Sequence, residues 1–222
     1  MRRRLRLLLS TGPTREPLDP VRFISNYSTG YLGAQLAREA VARGHRVTVV
    51  SGPVSEPLPR RARVIPVERA AEMAQALRRE APRADAVIMA AAVCDFRPRR
   101  MAPRKLSRRS RLVLRLEATP DLIAGLPRRA GQVRVGFALE TGRVLERARR
   151  KLRRKRLDLL LAQHASATHR PFGRVSVEAW ILDADGRVTR LGRVSKRVVA
   201  RALLDRTETL WHSRRRQQRL VQ

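Results

Sequence analysis

The stretch 10–33 carries residue types and spacings that suit the binding of an anionic group. It links an apolar run to a helical pattern, and about twenty residues is far longer than the two to six usual between a strand and a helix. Asn26, Ser28 and Thr29 supply short polar groups, and Gly30 lets the backbone approach a ligand closely. A helix that begins near Ser28 or Thr29 would direct its unpaired N–H groups at the contents of this loop. The stretch therefore predicts an anion site.

Apolar runs and helical periodicities alternate along the chain, which predicts an α/β fold. Strands are predicted at 5–9, 45–53, 84–93, 132–141 and 157–162, helices at 30–43, 70–79, 145–156 and from Lys196 to about Leu210, and a hairpin at 175–191 around Asp185-Gly186. This order implies a Rossmann-like, doubly wound, mostly parallel sheet with a C-terminal hairpin and helix.

The segment 97–115 interrupts this alternation with prolines and basic residues, and the alternating RLVLRLE follows at 111–117. This composition predicts a mobile flap and an extended arm rather than part of the core. Thr119 and Asp121, on either side of Pro120, give a helix-start signal. Because ligands of open parallel sheets bind beyond the carboxyl ends of the strands, we expect the loop at 94–98 to face the same crevice as Asn26.

The run GPTREPLDPVRFISNYSTG at 12–30 resembles the opening signature of the phosphopantothenate–cysteine ligases of coenzyme A biosynthesis, which are often fused behind a flavin-dependent decarboxylase. Matching segments follow in order, namely AAAVCDFRP (90–98), Lys105, TPDLIAGL (119–126), VGFALET (135–141), ARRKLRRKRLDLLLA (148–162) and SKRVVARALLD (195–205). The resemblance spans nearly the whole chain, and it predicts a stand-alone ligase without the decarboxylase half.

The resemblance implies a ligation driven by a nucleoside triphosphate, CTP in most bacterial members and ATP in eukaryotic ones. The carboxylate of 4′-phosphopantothenate would attack the α-phosphate and release pyrophosphate, and cysteine would then displace CMP from the acyl-cytidylate. By the same resemblance, Asn26 would hydrogen-bond the acyl intermediate, and the charge of Lys151 would offset that of the departing pyrophosphate. Mg²⁺ is expected to arrive with the nucleotide, and neither a flavin nor a resident metal site is expected.

The resemblance also implies a wider set of contacts to nucleotide and substrate. Phosphate groups would lie at the polar turn before the first helix, backbone groups of 136–138 would read the base, and a flap would cover the substrate. The implied set is Ser28, Thr29, Gly30, Asp95, Lys105, Gly136, Phe137, Ala138, Thr141, Lys155, Phe172 and Lys196. A homodimer formed through the arm and a separate decarboxylase are the expected protein partners.

Plainer interpretations remain open for these residues. Asn26 could cap its own loop, Lys151 could be one more cation on a solvated helix, and 136–138 could be strand core. The family usually continues LDLIVAND, whereas this chain has Gln163 in place of the asparagine and lacks the acid that follows; Phe172-Gly173 is all that survives of a later motif. The choice of nucleotide, and ligase activity itself, depend on these departures.

The chain of 222 residues is 43% apolar, which suffices for one domain, expected at 1–210, with 211–222 as a disordered basic tail. No apolar run approaches the ~20 residues of a membrane span, and the start lacks the features of a signal peptide, so a cytoplasmic protein is expected. Cys94, the one cysteine, fits a reducing compartment, and we interpret it as a packed strand-end residue rather than a nucleophile.

The net charge of +31 favours non-specific contact with phosphates. The chain nevertheless lacks a zinc-finger spacing and an RNA-binding signature, and aromatic residues make up only 4%, which argues against specific recognition of nucleic acid. All but four of the 50 basic residues are arginine. Because arginine cannot replace lysine where a compact ammonium is needed, the four lysines, all in segments that match the ligases, are candidate site residues.

Two other classes of function compete with a ligase. The TGYLG turn would suit an NAD(P)-binding oxidoreductase, but the second strand ends in Val50-Ser51-Gly52, where such an enzyme presents an acid to the ribose. The other alternative is a relative that keeps the ligase fold without catalysis.

Overall fold

A computed structural model describes residues 4–220 of the chain. Within that range the strands are β1 Arg6–Thr11, β2 Arg15–Pro17, β3 Phe23–Ser25, β4 Arg46–Ser51, β5 Arg63–Pro66, β6 Ala86–Met89, β7 Phe96–Pro98, β8 Leu116–Ala118, β9 Val133–Glu140, β10 Leu159–His164, β11 Val177–Asp183 and β12 Val188–Val194. The α-helices are α1 Tyr31–Ala42, α2 Ala70–Glu80, α3 Val144–Arg154 and α4 Lys196–Leu220.

The main sheet has the strand order β12-β11-β10-β9-β6-β1-β4-β5. The six strands from β10 to β5 run parallel, and β11 and β12 add an antiparallel hairpin at one edge. Numbered along the chain, the parallel strands follow the Rossmann order 3-2-1-4-5-6. The predicted α/β fold, with its mostly parallel sheet and its C-terminal hairpin and helix, is confirmed.

Helices cover both faces of this sheet because successive side chains of a strand point to opposite sides. Leu9 of β1 packs in one core with Leu36 of α1 and Leu203 of α4. Its neighbour Leu8 packs in a second core with Leu77 of α2. The helix α3 covers the same face as α2 further along the sheet. The apolar runs that predicted strands are therefore apolar because both faces are buried.

The helix predicted to begin at Thr119 does not form. The hydroxyl of Thr119 donates to the carbonyl of Cys94 at 2.5 Å, and its backbone N–H donates to the carbonyl of Asp95 at 2.9 Å. These bonds tie Thr119, just after β8, to the loop that follows β6, and no helix starts there. Turns occupy 122–125 instead.

The last helix is longer than the sequence predicts. It runs from Lys196 to Leu220 rather than to about Leu210. The side chain of Trp211 is only 3% exposed, and Arg214 donates to a carboxylate oxygen of Asp158 at 2.5 Å. These contacts fix the helix against the sheet, so the expectation of a disordered tail is wrong for 211–220; residues 221 and 222 lie outside the described range.

The predicted arm leaves the sheet as a small hairpin of β7 and β8. Between these strands, 99–115 contains no helix or strand. The backbone N–H of Ala102 donates to the carbonyl of Leu18, and that of Leu106 donates to the carboxylate of Asp19. Part of the flap is thus held against the loop that follows β1.

Three short strands, β2, β3 and β5, escaped the sequence prediction. The strand β5 pairs with β4 at the edge of the main sheet, and β2 pairs with β3 inside the long loop. Each has only three or four residues, which is too few for an alternation of apolar and polar positions to be recognised. In residues 4–220 no helix is both long enough and apolar enough to cross a membrane.

Candidate active site

The loops that follow β1 and β6 meet where the strand order reverses, which is the usual ligand site of this fold. The N–H of Ala92 donates to the carbonyl of Gly12 at 2.9 Å, and the N–H of Thr14 donates back to Ala92 at 3.3 Å. The N–H of Cys94 donates to the hydroxyl of Thr14 at 2.9 Å. The predicted convergence of the two distant segments is confirmed by these bonds.

Asn26 lies at this junction. Its side-chain Nδ2 donates to the carbonyl oxygen of Ala92 at 2.9 Å and lies 4.0 Å from the sulfur of Cys94. The Oδ1 atom makes no hydrogen bond within residues 4–220. Asn26 is therefore anchored to the loop after β6 rather than capping its own loop, and it keeps hydrogen-bonding capacity for a ligand.

The polar turn before α1 is built around Gly30. This residue has a φ of 78°, a conformation that favours glycine, and a Cβ there would collide with Val54. The hydroxyl oxygens of Ser28 and Thr29 accept hydrogen bonds from the N–H groups two residues ahead, both at 3.3 Å. The helix consequently begins at Tyr31, and the two hydroxyl groups remain able to donate to an anion.

Lys151 lies on α3 and is half-buried. Burial lowers the pKa of its ammonium, the charge of Lys155 lowers it further, and the charges of Glu140, Asp95 and Asp121 oppose the change. Within residues 4–220 the ammonium of Lys151 makes no hydrogen bond or ion pair. A partly desolvated ammonium that lies within the field of three carboxylates but is bonded to none is typical of a functional site.

The segment 92–95 links Asn26 to Lys151. Asn26 is bonded to Ala92 at the start of this segment, and the carboxylate of Asp95 at its end acts electrostatically on Lys151. Asp95 is exposed. Asn26 therefore contacts this segment directly, and Lys151, on a different element, lies within electrostatic reach of its last residue.

Lys155, unlike Lys151, forms an ion pair within the protein. Its ammonium lies 3.1 Å from a carboxylate oxygen of Asp121, and this ion pair lowers the pKa of the Asp121 carboxyl against the effect of burial. Lys105, on the flap, is exposed and makes no hydrogen bond or ion pair within residues 4–220. The flap beside it is fixed by Asp19: burial alone would raise the pKa of that carboxyl, but hydrogen bonds from Arg22 and from backbone N–H groups hold it well below its usual range.

The strand β9 extends beyond β6 towards the site. The pairing of β6 with β9 ends at Val135, so the edge of 136–140 that faces β6 has no strand beside it. Gly136 and Ala138 are buried, and Phe137 packs against the core below α1 and α4. These residues are strand core on one side and still offer one free backbone edge at the crevice; the exposed Thr141 follows directly.

Gln163, at the end of β10, is only 8% exposed. Its Nε2 is the one buried side-chain nitrogen or oxygen atom without a hydrogen-bond partner in the described residues. Leaving a buried donor unpaired costs on the order of 1–3 kcal/mol. A ligand acceptor at this place would satisfy the donor.

Phe172 lies on a loop that reaches the long loop after β1. Its ring centroid is 6.3 Å from that of Tyr27, and the guanidinium carbon of Arg170 lies 4.8 Å from the Tyr27 ring. The ammonium of Lys196 donates to the carbonyls of Pro171 at 2.7 Å and Gly173 at 2.9 Å. Burial lowers the pKa of Lys196 to about 8. Lys196 thus holds the Phe172 loop with two of its three ammonium hydrogens.

Sequence reasoning missed Tyr27 and Arg170, because no spacing or motif distinguishes them; only the folded loops bring them to Phe172. The thiol of Cys94 is buried, and burial raises its pKa, which agrees with a packed rather than a nucleophilic role. Among residues 4–220 no group of three His, Cys, Asp or Glu side chains could hold a metal ion. At the end of β4, Ser51 donates to the carbonyl of Gly52, and no acid is present for a ribose.

The strand order and the crevice at the switch point define a Rossmann-like α/β domain. The chain belongs to the family described as the DNA/pantothenate metabolism flavoprotein C-terminal domain, whose model matches residues 3–210. The resemblance to the phosphopantothenate–cysteine ligases is thereby confirmed.

Known proteins resemble the chain in sequence and in fold. It is 37% identical over 219 residues to the coenzyme A biosynthesis bifunctional protein CoaBC of Escherichia coli, an alignment that covers 96% of this chain and 53% of that protein. The crystal structure of the C-terminal domain of a CoaBC protein has a TM-score of 0.78 at 32% identity, and covers 94% of this chain and 96% of that one. Cab2 in complex with phosphopantothenate-cysteine has a TM-score of 0.75 at 18% identity, over 96% and 89% of the two chains, and shows likeness of fold alone. The chain spans about half the length of the curated relatives it matches.

Proposed function

We propose that this domain joins 4′-phosphopantothenate to L-cysteine through an acyl-nucleotidylate, with CTP as the triphosphate. The observation that carries the proposal is that the segment 92–95, at the carboxyl edge of the sheet, is bonded to Asn26 at one end and acts electrostatically on Lys151 from Asp95 at the other. Family membership supports it, as do the name of the bifunctional relative and the compound bound to Cab2.

In the first half-reaction, a carboxylate oxygen of phosphopantothenate attacks the α-phosphorus of CTP. A new C–O–P linkage forms, the bond between the α- and β-phosphates breaks, and pyrophosphate leaves with the bonding electrons. Lys151 would contact the β- and γ-phosphates, where its charge offsets the negative charge that develops on the leaving group. Ser28, Thr29 and Gly30 would hold phosphate oxygens at the start of α1.

In the second half-reaction, the amine of cysteine attacks the acyl carbon, an amide bond forms, CMP leaves with the electrons of the broken C–O bond, and the attacking nitrogen releases a proton to solvent. Asn26 would hydrogen-bond the acyl group, because its Nδ2 is already fixed on Ala92 and the rest of its amide is free. The thiol of Cys94 takes no part, since it is buried and the reaction requires no enzyme nucleophile.

The nucleotide base would lie at the carboxyl end of β9, whose edge towards β6 is free beyond Val135 and whose other edge pairs with β10, the strand of Gln163. The backbone of 136–138 can bond the base there, and the unpaired Nε2 of Gln163 offers a donor to the ring acceptors of a pyrimidine. Mg²⁺ bound with the triphosphate would spread the charge of its phosphates. Asp95 would contact substrate at the end of the loop after β6, and Lys105 and Phe172 would close over the substrates from the flap and from the loop held by Lys196.

A test measures pyrophosphate and product separately with CTP, phosphopantothenate and cysteine. Lys151→Gln should suppress pyrophosphate release by about 100-fold or more, the scale on which single charge-stabilising contacts act. The matched control is Arg149→Gln, which removes a charge from the exposed side of the same helix. Asn26→Asp should still release pyrophosphate but form product slowly. Wild-type rates in both variants, or no pyrophosphate from the unaltered protein, would refute these assignments.

We also propose that the arm forms a homodimer. Leu112, Val113, Leu114 and Leu116 are all at least 40% exposed along it, an apolar stretch that a second arm could cover. Sedimentation velocity of the unaltered protein and of Val113→Asp tests this; a dimer that the substitution converts to monomer supports it, and a monomeric wild type contradicts it. A separate decarboxylase is a further proposed partner, to be tested by co-purification.

A further inference from the structure

A strongly basic surface lies at the amino-terminal edge of the parallel strands, opposite the candidate active site. A hollow of about 710 Å³ occurs there between the starts of β1, β4 and β5. We name it the basic hollow, and it is lined by Arg4, Arg6, Arg46, Arg61, Arg63 and Arg83. All six arginines are exposed.

The charges in the basic hollow are not balanced by acids. Glu80 accepts hydrogen bonds from Arg63 at 2.8 and 3.2 Å, and Asp85 forms an ion pair with Arg6 at 3.1 Å. The other four arginines form no ion pair within residues 4–220. Two guanidinium groups are therefore fixed in place by carboxylates, and four more surround them without a counter-charge from the protein.

A second hollow of about 800 Å³ lies beside the first, at the start of β9. Its arginines share two carboxylates: Arg128 and Arg214 are bonded to Asp158, and Arg129 is bonded to Asp85 at 2.8 Å. Asp85 also holds Arg6 of the basic hollow. One carboxylate thus joins the two hollows, and the basic surface continues along the edge of the sheet.

The positive charges that line one hollow repel one another, and a bound polyanion would relieve this repulsion. Guanidinium groups match phosphate oxygens in pairs. No Phe, Tyr or Trp lines either hollow, and the side chain of His45 is only 5% exposed, so the lining offers no exposed aromatic ring for stacking on bases. A surface of two adjoining hollows fits a chain of phosphates better than a single mononucleotide.

We propose that this edge of the domain binds nucleic acid through its phosphate backbone, without reading the base sequence. The proposal agrees with the absence of specific recognition motifs from the sequence, and it is independent of the proposed ligase function because the two surfaces lie at opposite edges of the sheet.

The first test uses fluorescence anisotropy with labelled RNA and DNA duplexes of about 20 base pairs and mixed sequence, between about 50 and 200 mM salt. We expect both duplexes to bind, with an affinity that falls steeply with salt and differs little between sequences. No binding at the lowest salt would overturn the proposal. Tighter binding to vesicles of phosphatidylglycerol than to either duplex would also overturn it.

The second test replaces the four unpaired arginines, Arg4, Arg46, Arg61 and Arg83, by glutamine. The slope of log affinity against log salt is negative, and each lost phosphate contact should reduce its magnitude by about 1. We therefore expect the magnitude of the slope to fall by about 3–4, and the affinity at 100 mM salt to fall roughly tenfold or more. The matched control replaces Arg149, Arg150, Arg193 and Arg197, which are exposed away from this edge. An equal loss in the control would show that total charge, not this surface, binds the duplex.

A third measurement needs no substitution and therefore does not depend on the folding of a variant. Phenylglyoxal modifies accessible arginines, and mass spectrometry of the digested protein locates the modified sites. We expect the RNA duplex to protect Arg46, Arg61 and Arg83 but not Arg149 or Arg193. Uniform protection, or protection of Arg149 and Arg193 alone, would contradict the proposed surface. Ligase assays on the same variants keep the two proposals separate, since loss of duplex binding should leave pyrophosphate release unchanged.

Discussion

The ammonium of Lys196 offers a stability measurement whose sign follows from its surroundings. The residue is only 4% exposed, and burial lowers its pKa from 10.5 to about 8. At about 1.4 kcal/mol per pH unit, holding the charged form in this place costs about 3 kcal/mol at neutral pH. Two hydrogen bonds to carbonyls offset that cost, each worth about 1.5–3 kcal/mol when the donor is charged. Lys196→Met, which keeps the volume and removes both terms, should destabilise the fold by only about 0–3 kcal/mol at pH 7.

The pH dependence of stability separates the cost of burying the charge of Lys196 from the gain of its two hydrogen bonds. Between pH values of about 8 and 10.5 the unfolded chain keeps the Lys196 proton while the folded chain has released it, so the free energy of unfolding of the wild type rises with pH. Below pH 8 the cost is fully present. From about pH 7 to 9.5 the free energy of unfolding of the wild type should rise by about 2 kcal/mol through this group, and that of Lys196→Met should not.

The assay is urea unfolding of the wild type, Lys196→Met and the control Arg197→Met at several pH values, because differences between variants cancel the titration of all other groups. We expect the gap between the wild type and Lys196→Met to widen with pH, and no such trend for the exposed Arg197. A gap that stays constant over this range would refute the buried-ammonium argument. The KM for CTP should also rise in Lys196→Met, with a smaller effect on kcat, since the Phe172 loop loses its two anchors.

Three further substitutions test other parts of the structure. Trp211→Ala should lower the free energy of unfolding by about 3–5 kcal/mol, and Arg216→Ala by less than about 0.5; equal, small effects would mean that the last turns of α4 do not stabilise the fold. Gly30→Ala should cost about 1–2 kcal/mol for the positive φ plus the collision with Val54, so adding Val54→Ala should restore part of the loss; no loss in Gly30→Ala would contradict this conformation of the turn. Gln163→Leu should raise stability by about 1 kcal/mol, by removing an unpaired buried donor, while it raises the KM for CTP; an unchanged KM would exclude Gln163 from the nucleotide site.

The sequence predicted the sheet and the crevice well, because both depend on local patterns. Runs such as Leu5–Leu9 predict strands buried on both faces, and the meeting of Asn26 with the loop after β6 follows from the geometry of any open parallel sheet. The failures have a common cause in contacts between distant residues. Thr119 bonds to Cys94 instead of capping a helix, and Trp211 packs into a core where its basic surroundings predicted disorder. The contacts between Tyr27 and Phe172 likewise depend on loops whose paths no local pattern specifies.

The bonds from Thr119 to Cys94 and Asp95 also determine where the arm is attached to the domain. Its hairpin leaves the domain immediately after Asp95 and returns at Thr119, so both ends are fastened to one point beside the crevice. Between these two ends, the backbone N–H groups of Ala102 and Leu106 bond to Leu18 and Asp19, so the segment is also held to the loop after β1. The exposed apolar residues of the arm, Leu112 to Leu116, therefore belong to a segment that is attached at one end beside Asp95 and the crevice and at the other to the loop after β1.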